Sequence, residues 1–276
     1  MKDTTLEEIV SKVPAVTLGF WVIKILATTL GETGGDAVTM SWLHADLHPH
    51  NGGYLIGTAI FAVIFVAAVL LQILYSKFHP FIYWTAIVAS TTIGTSLADF
   101  VDRSLGVGYT GGVTILLTCV LLSLAVWYLT QGSIHVQTVA TPRVEIFYWI
   151  TITFSQTLGT ALGDWLADSG GFGYGRGALV FGLALAALAA AYYRTNLSRV
   201  TLFWAAFILT RPLGATLGDL LDKPTADGGL AFSRPLASAL IAVAIVVLVL
   251  ALPQRAGRHP GTAMLRPGRS NEQISS

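Results

Sequence analysis

The chain has 276 residues, 54% of them hydrophobic and 11% charged, with a formal net charge of +1. Soluble domains carry about 25% charge, so the composition excludes an ordinary water-soluble core and points to lipid as the solvent. The near-neutral balance leaves no electrostatic footprint for nucleic acid, and a single cysteine, Cys119, excludes an internal disulfide.

In chain order, the opening MKDTTLEEIV is acidic and polar. It lacks the basic start and small-residue cleavage site of a signal peptide, so the first apolar segment is expected to be a retained span. A helix needs about 20 apolar residues to cross a bilayer, and its backbone must be satisfied within the segment. Eight stretches qualify, near residues 14–38, 53–75, 81–102, 109–130, 144–167, 173–193, 199–221 and 233–252. The loop after the first holds His44, Asp46, His48 and His50. Three imidazoles beside a carboxylate could capture a transition metal, but the spacing matches no zinc motif and a solvated polar loop is the plainer reading. From Pro253 the chain turns to Arg, Pro, Gly and Ser. Residues 253–276 are therefore expected to be a disordered tail behind a single membrane domain over 1–252.

The basic residues set an orientation. Lys2, Lys12, Lys77, Arg143, Arg194, Arg199, Arg255, Arg258, Arg266 and Arg269 fall on one side, against Arg103, Arg176, Lys223 and Arg234 on the other. The positive-inside rule places both termini in the cytoplasm. Lys24 and Arg211 fall inside spans.

The odd-numbered spans repeat one pattern, starting with an aromatic pair: Phe20-Trp21, Tyr83-Trp84, Tyr148-Trp149 and Phe203-Trp204. Ten residues after each Trp stands a glycine: Gly31, Gly94, Gly159 and Gly214. Four further on is a small residue (Gly35, Ala98, Gly163, Gly218), and an aspartate follows directly: Asp36, Asp99, Asp164 and Asp219. The repeats cover about 13–75, 80–130, 142–193 and 198–252. Each adds an even number of spans, so the copies are parallel. The expected fold is an all-α membrane protein of eight transmembrane helices, four two-helix repeats around a pseudo-fourfold axis.

This pattern resembles a bacterial integral-membrane family of four tandem two-helix repeats, each with a characteristic tryptophan and no known function. The resemblance extends to about residue 252 and implies a multi-pass protein of the bacterial inner membrane. It implies no activity.

At about 100° per residue, Trp, Gly, small residue and Asp share one helix face, where small residues four apart permit close helix approach. The positions between them are polar. Seven after Trp come Thr28, Thr91, Gln156 and Arg211, and eleven after it Glu32, Thr95, Thr160 and Ala215. Ionisable groups in a bilayer face one another or a cavity, so the odd helices are expected inside and the even ones against lipid. Asp36, Asp99, Asp164, Asp219 and Glu32, with Thr28, Thr91, Thr95, Gln156 and Thr160, are candidate ion ligands. Lys24 and Arg211 are candidate internal counter-ions. Trp21, Trp84, Trp149 and Trp204 form either core packing or a gate. The aspartates also fit helix-end caps, since each lies about 22 Å beyond its Trp.

No phosphate loop, HExxH pair or nucleotide fingerprint occurs, so neither enzyme activity nor a cofactor is expected. The leading expectation is a transporter or channel for a small cation, foremost a divalent metal. The alternatives are a proton-coupled carrier of an organic solute and a non-transporting scaffold or sensor. Lipid and the cation are the partners implied.

Overall fold

The computed structural model describes residues 10–48, 50, 52–75 and 77–258. Among them are eight long helices: α1 (Leu18–Asp36), α2 (Gly53–Leu74), α3 (Pro80–Asp99), α4 (Gly108–Gln131), α5 (Pro142–Asp164), α6 (Gly173–Arg194), α7 (Arg199–Asp222) and α8 (Arg234–Ala251). Their starts are set by local chemistry. Thr17 caps α1, its hydroxyl accepting from the Phe20 N–H. Proline opens α3, α5 and α8, where its missing N–H costs nothing. Pro212 lies inside α7 but does not end it. Six of the eight are long and apolar enough to cross a membrane, all except α1 and α5. Polar side chains buried in those two include Lys24, Glu32 and Asp36 in α1 and Glu145, Gln156 and Asp164 in α5.

The odd helices form a closed ring, α1 against α3, α3 against α5, α5 against α7 and α7 against α1. One stagger repeats at every joint. The glycine ten after Trp in one unit meets the residue seven after Trp in the next: Gly31 with Thr91, Gly94 with Gln156, Gly159 with Arg211, and Gly214 with Thr28. A Cβ on any of these glycines would overlap its neighbour, so the glycine sets how closely the helices approach. One turn on, Gly35 meets Thr95, Gly163 meets Ala215, and Gly218 meets Glu32. Hydroxyls then bridge the joints. Thr91 Oγ1 reaches the Ala27 carbonyl at 3.2 Å, Thr95 Oγ1 that of Gly31 at 3.0 Å, and Thr28 Oγ1 that of Thr210 at 3.1 Å.

Each even helix packs on the inner helix of the following unit: α2 on α3, α4 on α5, α6 on α7 and α8 on α1. Each outer helix packs mainly on the next unit's inner helix and touches its own chiefly at the aspartate end, so the four fold as one cyclic body. The even helices leave rows of Leu, Val and Ile exposed, as a lipid-facing layer requires.

After the repeat aspartates, α1, α3 and α5 continue as π-helical turns over Ala37–Trp42, Phe100–Ser104 and Trp165–Ser169. At the opposite end a short strand β1 (Val10–Pro14) pairs antiparallel with β2 (Ala256–Arg258), bringing the two ends of the described chain together. The expectation of a disordered tail from residue 253 is corrected here. Gln254 accepts from Trp84 Nε1 at 3.3 Å, and residues 256–258 are strand. The rest of that tail lies outside the described residues. The sheet is fixed to the loop before α5 by Lys12 N–H donating to the Val139 carbonyl at 2.8 Å, and to α5 itself by a Lys12–Glu145 ion pair at 2.7 Å.

Candidate functional site

The inner faces of the four ring helices stack in layers. The first is aromatic. Trp84, Trp149 and Trp204 are buried among Phe20, Tyr83, Tyr148 and Phe207, and the Tyr83 and Tyr148 hydroxyls meet at 2.8 Å. The next layer, three residues after Trp, holds Lys24, Ile87, Ile152 and Phe207, none with any exposed surface. Above it come Thr28, Thr91, Gln156 and Arg211, equally buried.

Arg211 closes the axis. Its guanidinium leaves α7 and reaches three other helices. It pairs with Glu32 of α1 at 2.9 Å, and donates to Thr95 Oγ1 of α3 and Thr160 Oγ1 of α5, each at 2.6 Å. The Thr28 and Thr91 carbonyls accept at 3.4 and 3.3 Å. A charge this deep is tolerable only when paired and hydrogen-bonded, and the repeat supplies those acceptors at equivalent positions.

Beyond this layer the carboxylates gather. Glu32, Asp36 and Asp219 each place an oxygen within 4.8 Å of the other two, all three residues being buried. Lys223 Nζ lies 2.6 Å from Asp36 Oδ2 and 3.1 Å from Asp219 Oδ1. The second Asp36 oxygen is buried with no hydrogen-bond partner among the described residues. Asp99 pairs with Arg103 at 2.9 Å. Asp164 stands in no ion pair among the described residues, yet its carboxyl is within electrostatic reach of Asp219, Asp99, Glu32 and Arg103. Asp99 and Asp164 thus lie within electrostatic reach of this group, whose closest members are Glu32, Asp36 and Asp219.

Several expectations change. Thr28 and Thr91, expected as ion ligands, bond backbone carbonyls across and within the helix joints. Thr95 and Thr160 serve Arg211. Gln156 lies one layer below the carboxylates, with both amide atoms unpartnered among the described residues. Arg211 is the counter-ion expected, but Lys24 is not. No carboxylate lies within salt-bridge distance of it among the described residues, and its Nζ sits 4.2 Å over the Phe207 ring. Of the tryptophans, Trp84, Trp149 and Trp204 are core, while Trp21 is partly exposed. His44, Asp46, His48 and His50 are exposed in the loop before α2 and lie apart from the carboxylates.

Two site residues escaped the sequence reading, Arg103 and Lys223, which were counted as loop charges. The signal was present: Asp99/Arg103 and Asp219/Lys223 are four residues apart, the spacing of a helical ion pair. The π turn after Asp99 keeps Arg103 on the helix, and Lys223 caps the end of α7.

With this geometry in place, comparison with known families gives one match. The repeat described as "Repeat of Unknown Function (DUF347)" matches residues 19–78, 82–133, 147–198 and 202–254. The chain belongs to that family. Each matched DUF347 unit begins one residue before an aromatic pair, at 19, 82, 147 and 202, so the family phase is the phase of the Trp–Gly–Asp pattern. Neither the curated proteins nor the solved structures give a match. The four DUF347 units make a helical membrane-type protein, and the family description assigns it no activity.

Proposed function

We propose that this protein is a membrane transporter for a small cation, with a divalent metal as the expected cargo. The observation that carries the proposal is the convergence of Glu32, Asp36 and Asp219 within 4.8 Å, from opposite sides of the α1–α7 joint. Oxygen ligands at such spacing suit hard divalent ions. At the axial positions, five carboxylates (Glu32, Asp36, Asp99, Asp164, Asp219) face three cations (Arg103, Arg211, Lys223), leaving two formal negative charges. One divalent ion would neutralise them.

Lys223 occupies the space such an ion needs, so binding is an exchange in which the ammonium swings out and the metal takes over Asp36 and Asp219. Arg211 spans the ring below. Passage therefore requires the Glu32–Arg211 pair to open, which describes a gated carrier and not an open channel. Glu32 belongs to both groups, and a cation that draws it away from Arg211 would loosen the closing layer. The positive-inside rule favours an orientation with the carboxylate end outward and the β1–β2 end in the cytoplasm.

The test is cation uptake by purified protein in liposomes, with Mn2+, Ca2+ and Mg2+ offered in turn. Asp36→Asn with Asp219→Asn should abolish uptake while the variant keeps its fold by thermal unfolding. Undiminished flux in that double variant would remove the proposal. Proton-linked uptake of an organic solute with no metal flux would replace it with the carrier alternative.

A further inference from the structure

Below the Arg211 layer lies a group of polar atoms that the cation site does not use. Lys24 is fully buried, and its Nζ has no hydrogen-bond partner among the described residues. Gln156 is fully buried with Nε2 and Oε1 both unpartnered, as are the Ser155 and Thr151 hydroxyls and Arg211 Nε. An unpaired buried polar group costs about 1–3 kcal/mol, and a charge more. Several in one protein interior mark a place where something polar belongs.

Lys24 and Gln156 share the inner face of the ring, while Thr151 and Ser155 lie toward the α5–α7 joint below Gly159. Lys24 and Gln156 hold the axis-facing positions three and seven after Trp, on α1 and α5, which do not adjoin in the ring. Lys24 Nζ rests over Phe207 and lies within electrostatic reach of Arg211. The stagger that seats Gly159 on Arg211 puts Ser155, one turn earlier, at the level of Phe207. The dedicated donors are an ammonium, an amide NH2 and a guanidinium N–H, against one amide carbonyl, and the two hydroxyls can donate or accept. Among the described residues the acid paired with Arg211, Glu32, engages Nη1 and leaves Nε without a partner.

We propose that these unpartnered groups form a second site, for a small monovalent anion such as a halide or nitrate, held by Lys24 with Gln156 and Arg211 Nε. Two axial sites of opposite sign then flank the Arg211 layer. That these groups are buried without partners does not depend on cation transport.

The test is thermal unfolding of the purified full chain, titrated with sodium chloride, bromide or nitrate against gluconate at fixed ionic strength. The wild type should show a saturable, anion-specific rise. Lys24→Met should weaken it by about tenfold or more, the loss of a charge-assisted contact, and Gln156→Leu by a smaller factor. Asp164→Asn should keep the anion response even if it loses cation flux, which separates this site from the carboxylate site. If Lys24→Met does not fold, a bromide-soaked wild-type crystal decides, with an anomalous peak expected within hydrogen-bond reach of Lys24 Nζ. A wild type that shows no saturable anion response, an undiminished response in Lys24→Met, or no such peak would overturn the assignment.

Discussion

The two ends of the helical ring close by different physics. At the β1–β2 end, rings packed edge to face fill the interior, with Trp127 against Trp204 at 5.7 Å and Tyr148 against Trp149 at 5.0 Å. Two indole N–H groups there are taken up, Trp204 Nε1 by the Ile134 carbonyl at 3.0 Å and Trp84 Nε1 by Gln254, while those of Trp127 and Trp149 are buried with no hydrogen-bond partner among the described residues. At the other end the same repeat places aspartates, and closure rests on Arg211, Lys223 and Arg103 finding carboxylates. Aromatic packing is tolerant, because area burial sums over many small contacts. Charge closure is brittle, because each buried ion needs its own partner. An end built to open is better made of exchangeable ion pairs than of interlocked rings.

This contrast can be broken most severely at Arg211. Arg211→Met leaves Glu32 buried and unpaired, and should lower stability by roughly 3–5 kcal/mol in unfolding of the detergent-solubilised protein. Adding Glu32→Leu should recover most of the loss, and failure to recover would mean that the Thr95 and Thr160 hydrogen bonds matter more than the ion pair. A smaller effect is expected at the ring joints. A Cβ at Gly94 would lie 2.8 Å from the Gln156 carbonyl carbon and 2.9 Å from the Thr157 nitrogen. Both are backbone atoms, so Gly94→Ala should cost about 1–3 kcal/mol, and a neutral result would show that the α3–α5 joint has slack.

At the aromatic end, Tyr83→Phe removes one member of the 2.8 Å hydroxyl pair. It should cost about 1 kcal/mol, with cation uptake unchanged. A larger effect on uptake than on stability would make that end a gate and not a plug. The smallest effect is expected in the first outer loop. His44→Ala, His48→Ala and His50→Ala together should shift stability by no more than about 0.5 kcal/mol and leave uptake at its wild-type level. A loss of uptake there would restore the loop as a metal-capture element.

The parallel repeat, the inner and outer helices and the shared face were all legible, because they follow from composition and from residue spacing at about 100° per residue. The eight span positions agree with the helices to within a few residues. Glu32 and the aspartates were legible for the same reason, since an acid on the small-residue face of a span has nowhere to point but inward. Lys24 was read wrongly as a counter-ion, because depth alone does not tell which layer a long side chain reaches. Thr28 and Thr91 were read as ligands because a hydroxyl that bonds a neighbouring carbonyl has the same sequence signature as one that binds an ion.

The sequence by itself determined a fourfold helical membrane protein with acids on its inner face, because periodicity and hydropathy are local properties of the chain. Only the tertiary structure decided which charges meet. Arg211 finds Glu32 across 179 positions and Lys223 finds Asp36 across 187. Those pairings exist because the fourth unit closes on the first, and ring closure depends on how four helices fit together in space.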